Sequence, residues 1–188
     1  MDIKEILYNE IDNMGKNHIR ILLSNNVYNS RTVIDSLLNK CSVLLNKDNP
    51  FEDEFALFAE ALLHFVLTMS MIPAERKINV DGIDIDILVP NSKNLKDNND
   101  KAIIIHFHRY KNQDILEKIS NLSKIQKKLD NIWIVSSTNI NLNVNTFIVS
   151  PLLRTHKHND GFIYPFSDIL IKIDDFLKDI NYSGLKII

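Results

Sequence analysis

Lys77-Ile-Asn-Val-Asp-Gly-Ile-Asp-Ile-Asp-Ile-Leu-Val-Pro90, followed after a polar segment by Ala102-Ile-Ile-Ile-His-Phe-His-Arg109, is the stretch on which the fold turns. Residues 76–80 and 83–89 alternate apolar and polar side chains around Asp81-Gly82, a dipeptide that takes the positive backbone angles of a tight hairpin turn. Residues 102–109 predict a third, buried strand. Successive side chains on a strand point to opposite faces, which puts Asp84 and Asp86 on one side and Ile83, Ile85 and Ile87 on the other. His106 and His108 obey the same alternation. With the two strands as neighbours, carboxylates and imidazoles converge on one patch, a set of ligand types able to hold a divalent metal.

Outward from this stretch the period changes. Upstream, Ile6, Leu7, Ile11, Met14, Ile19, Ile21 and Leu22 recur at helical spacing and predict a helix over about residues 3–24. A second helix starts near Ser30, runs through Val33, Leu37, Leu38, Leu44 and Leu45, and breaks at Lys47-Asp-Asn-Pro50. A third, over about residues 51–71, is apolar on most of its circumference, as an element packed into the centre would be. Downstream, residues 91–101 read as an exposed loop rich in Asn and Asp, 112–129 as a helix and 132–136 as a strand. Strands at 146–150 and 185–188 and a helix at 167–180 complete the expectation. The chain divides into an N-terminal helical extension, residues 1–50, and an α/β unit, residues 51–188, forming one compact body.

Composition narrows the function. A chain of 188 residues, 45% hydrophobic, can bury a proper core, and a net charge of −2 lacks the broad basic field of a dedicated nucleic-acid binder, so any phosphate contact must be local. The single cysteine, Cys41, excludes an internal disulfide and fits a reducing compartment. The N-terminus lacks the layout of a signal peptide, and the most apolar stretch, residues 55–72, carries Glu60 and His64, so the expectation is a cytoplasmic protein with no membrane span. Neither GxGxxG nor GxxxxGK occurs.

The order helix, strand, strand, strand, helix, strand over residues 51–137 resembles the core of the PD-(D/E)xK nuclease superfamily, the restriction-endonuclease-like fold. The resemblance covers about half the chain and implies an α/β three-layer core (αβββαβ), a mixed sheet flanked by helices. In that superfamily an acidic helix residue, a second-strand Asp and a third-strand (Glu/Gln)-x-Lys surround one or two divalent metals. Asp86 matches the metal-binding aspartate, Glu60 the helix glutamate, and His106-Phe-His108 stands where (Glu/Gln)-x-Lys would be. The resemblance implies Glu60, Asp86 and His106 as metal ligands, Asp86 and His108 as catalytic residues, and magnesium or manganese as cofactor. Exchanging a carboxylate for imidazole weakens magnesium binding and favours manganese, iron or zinc. A histidine, with an ordinary pKa of about 6.5, can serve as general base or as a partly charged donor in place of lysine.

Each residue also has a structural reading. Asp84 and Asp86 suit the polar face of an edge hairpin. Glu60 needs a partner on its apolar helix, and Arg76, Lys77 or His64 would serve as well as a metal. His106 and His108 also suit hydrogen-bonded core positions. Arg109, Arg154 and Lys157 are candidate phosphate contacts, the last two within the basic run Arg154-Thr-His-Lys-His158. Three functions stay open: a metal-dependent endonuclease or exonuclease, a nuclease-like domain that binds DNA, RNA or protein without cutting, and a structural partner-binding protein. The N-terminal helices could hold a partner or a second copy of the chain.

Overall fold

The computed structural model describes residues 3–45, 52–109, 114–149 and 162–182. Three helices, α1 (Ile3–Met14), α2 (Lys16–Asn25) and α3 (Asn29–Leu45), precede the long α4 (Glu52–Met69). The hairpin of β1 (Glu75–Val80) and β2 (Ile83–Val89) turns on Asp81 and Gly82, whose φ values of 51° and 81° are those the dipeptide was expected to supply. Then come α5 (Ser92–Asp97), β3 (Ile103–Phe107), α6 (Ile115–Leu122), β4 (Ile132–Ser136), β5 (Asn145–Ile148), β6 (Ile163–Pro165) and α7 (Ile169–Asp179). One six-stranded sheet runs β1-β2-β3-β4-β5-β6, antiparallel from β1 to β3 and parallel from β3 to β6.

Two apolar clusters clothe the faces of this sheet. Ile103, Ile105, Phe107, Trp133, Val135 and Phe147 face one cluster with α1 to α4 and α7, so the N-terminal helices share a core with the sheet. On the other face Ile104, Ile132 and Ile134 meet Leu95, Leu122, Leu142 and Val144. The result is a three-layer α/β arrangement, as expected.

Alternation fails at one place in β2. Ile87 and Val89 pack with the helical cluster, but Ile85, two residues from Ile87, packs in the opposite one. The strand changes face around Asp86. Opposite Asp86, between the pairs Arg76↔Ile87 and Ile78↔Ile85, stands Lys77 with φ of 50°, a left-handed conformation uncommon for a side-chain-bearing residue. The described pairing of β2 with β3 runs from Val89↔Ile103 to Ile87↔Ile105. Asp86 therefore sits where the hairpin parts from β3.

Several expected elements differ. The first helix is two, because Gly15 adopts φ of 82° between them. Segment 91–101 is not all loop: Asn91 caps α5 by accepting from Asn94 N–H, and Leu95 is its buried anchor, a single apolar residue that makes no period. Of the helix expected over 112–129, the described residues from 114 onward are helical over Ile115–Leu122. Beyond it Gln126 is buried, donating to the carbonyls of Asn99 and Ala102 and accepting from Lys128 N–H, so the chain turns in to satisfy the β3 entrance. Strand β6, three residues long, is too short to show a period. The expected strand 185–188, and Arg154 and Lys157 with their histidine run, lie outside the described residues.

Candidate functional site

Glu60 lies on α4 on the same helical stripe as the buried Ala56 and Leu63, and is 1% exposed. An ionised carboxylate there is costly unless paired. It is paired on both oxygens. Arg76 of β1 donates to Oε1 through Nη2 at 2.8 Å and Nε at 3.2 Å, with Lys77 Nζ 3.5 Å from the same oxygen. Arg109 Nη2 donates to Oε2 at 2.7 Å.

Asp86 lies beside this pair. Its Oδ2 accepts from the backbone N–H of Phe107 at 2.9 Å, so the carboxylate engages the β3 backbone where the strands part. His106 Nδ1 is 2.7 Å from the same oxygen, and Arg109 Nη1 is 3.5 Å from Oδ1. Burial pushes the Asp86 carboxyl up, but His106, the Phe107 amide and Arg109 together outweigh it and hold the pKa down at about 2. The group is ionised at neutral pH. His64, one turn after Glu60 on α4, is pushed down by burial and by the charge of Arg76, against the opposing pull of Glu60.

Of the residues singled out by sequence, Glu60, Asp86, His106 and Arg109 come together in one polar cluster. His108 is buried just past the end of β3, its N–H donating to Val135. Asp84 is exposed and accepts from Asn79 Nδ2 at 2.7 Å, while its carbonyl accepts from Lys118 Nζ at 2.7 Å. Strict alternation would send Arg109 to the face opposite the histidines. Arg109 lies beyond the last residue of β3, where alternation no longer binds it, and it turns to the carboxylates. The Lys77 backbone and the Phe107 amide are parts of the site that no residue pattern flags.

Both Glu60 oxygens are engaged by guanidinium groups, and Arg109 reaches Glu60 and Asp86 at once. Among the described residues no three His, Cys, Asp or Glu side chains gather as a metal-binding group. As arranged, these residues do not fit a divalent metal.

No family model matches the chain, and no curated protein does. Solved structures do. The chain is similar to metal-depleted Ecl18kI in complex with uncleaved, modified DNA, at a TM-score of 0.63 and 10% identity over 100% of this chain and 82% of that one. The fold is that of the restriction endonucleases. A second metal-depleted Ecl18kI complex, with uncleaved DNA, gives a TM-score of 0.58 at 12% identity, covering 100% of this chain and 82% of that one. The complex of the restriction endonuclease PspGI with substrate DNA gives 0.55 at 13%, covering 95% of this chain and 94% of that one. The restriction-endonuclease-like likeness thus extends over the N-terminal helices as well as the core that the sequence pattern matched. Among the described residues no helix is long and apolar enough to cross a membrane.

Proposed function

We propose that this chain is a DNA-binding protein of the restriction-endonuclease-like fold whose central carboxylates serve an internal ion-pair network, so that it holds duplex DNA without hydrolysing it. The observation that carries this reading is Glu60, buried and bound on both oxygens by arginines. Arg76, Lys77 and Arg109 set three cations against the two carboxylates, and the side chains of Arg76, Lys77 and Arg109 remain 29%, 60% and 30% exposed. Arginines anchored on a buried partner are pre-organised, so less side-chain freedom is lost when they meet a phosphate. That the solved structures of like fold are DNA complexes supports DNA as the ligand.

A second reading, phosphodiester cleavage with manganese or magnesium, has its own support. Asp86 is held ionised, the state a metal ligand needs, and His106 Nε2 is buried with no hydrogen-bond partner among the described residues. In that reading Glu60, Asp86 and His106 are the ligands and His108 the base, and Arg109 must move aside.

One set of assays separates the two. Labelled duplex DNA is followed for binding and for cleavage, with chelator, magnesium or manganese, using wild type, Asp86→Ala and Lys77→Ala, with RNA as the control polymer. The expected outcome is binding of duplex in chelator, weakening linearly on a log-log salt plot, with Lys77→Ala flattening that slope by about one unit and no product forming. Manganese-dependent product abolished by Asp86→Ala would establish the second reading. Absence of salt-sensitive binding would defeat the first.

A further inference from the structure

One guanidinium bridges the two carboxylates of the centre. Arg109 Nη2 stands 2.7 Å from Glu60 Oε2 and Nη1 3.5 Å from Asp86 Oδ1. These are the acidic groups contributed by the long helix and by the second strand, brought together from positions 26 residues apart in sequence. A divalent ion serving both would have to lie about 2.0–2.6 Å from the same oxygens. It could not share that space with the Arg109 nitrogens, and the guanidinium charge would repel it.

We propose that Arg109 is the resident cation of this centre, standing between Glu60 and Asp86 where a divalent ion would otherwise be held, and that it keeps magnesium and manganese out of the folded protein. The inference rests on the reading that DNA is bound here without a metal. Three features favour an arginine in this role. Its planar fork places two nitrogens to face two separate carboxylates, which a lysine ammonium could not do in the same way. Glu60 is 1% exposed, so its charge demands a permanent partner. Arg76 and Lys77 crowd Oε1 with two further cations, leaving Glu60 Oε2 and Asp86 Oδ1 to Arg109 among the described ion pairs of the centre, while His106 Nδ1 stands against Asp86 Oδ2.

The test is to remove the charge and ask whether metal enters. Manganese binding is measured by titration calorimetry, and by the shift it causes in the thermal midpoint, on the full chain as wild type, Arg109→Ala, Arg109→Gln and Arg109→Lys. Arg109→Gln keeps an uncharged, shorter hydrogen-bonding side chain and serves if the alanine variant does not fold. The expected result is that the uncharged variants saturate at manganese concentrations where wild type and Arg109→Lys do not, an affinity gain of at least about tenfold. Adding Asp86→Asn should abolish the gained binding. Folded, uncharged variants that gain no affinity would overturn this proposal while leaving metal-free DNA binding standing. Saturable manganese binding by wild type, lost in Asp86→Asn, would overturn both.

Discussion

At Asp86 the electrostatic environment makes a statement about acid stability. The carboxyl, ordinarily at 3.8, is held at about 2 in the folded chain, so the contribution is full above about pH 4 and is lost as pH falls through about 2. A shift of that size corresponds to about 2 kcal/mol. Chemical denaturation of wild type and Asp86→Asn across this window should show the wild-type stability falling more steeply; parallel curves would refute the assignment. His64 supplies the complementary prediction. Its pKa is lowered by burial and by Arg76, so its proton NMR titration should run below the ordinary midpoint and return toward it in Arg76→Gln. A wild-type midpoint at the ordinary histidine value would separate His64 from the Arg76 charge. Sequence made Asp86, Glu60 and their candidate partners visible because each is a charged residue in an apolar setting. Which partner each would take was a matter of tertiary distance.

Among the elements, Gly15 divides what the periodicity of Ile6, Leu7, Ile11 and Ile19 presents as one helix. Periodicity continues across it because α1 and α2 both bury their apolar stripes in the same cluster. An added Cβ at Gly15 would meet only His18 Cβ at 3.8 Å, an ordinary contact, so the cost of Gly15→Ala is in the backbone at φ of 82°. It should be about 1–2 kcal/mol by urea denaturation. A neutral or stabilising result would mean that the two helices can run on as one. The hairpin was legible because Asp81-Gly82 specifies its own turn and the flanking residues alternate. The change of face at Asp86 was not, since Ile83, Ile85 and Ile87 are identical in type and only the bodies packed on each side tell them apart. The shortness of α6 was hidden for a similar reason: Gln126 looks like one more helical residue until the carbonyls of Asn99 and Ala102 claim it.

Across the whole molecule, a net charge of −2 makes the three-cation cluster around Glu60 a local device, and salt-sensitive binding should trace to it and not to a general field. The long helix ahead of the sheet, the single hairpin, the buried third strand and the presence of Glu60, Asp86 and the His106-Phe-His108 run were legible in sequence alone, because period, turn chemistry and charge in an apolar run are local properties; the break at Gly15, α5 and β6 were not. The expectation of the restriction-endonuclease-like core followed from them, and the likeness to Ecl18kI and PspGI extends it along the chain. What only the tertiary structure decided is the state of the carboxylates. Arg76 and Arg109 are 16 and 49 residues from Glu60, and their meeting depends on the β1–β2 hairpin parting from β3 and on Arg109 lying just beyond the strand end. Such contacts arise from the packing of several elements at once, and no spacing within a single stretch of chain encodes them.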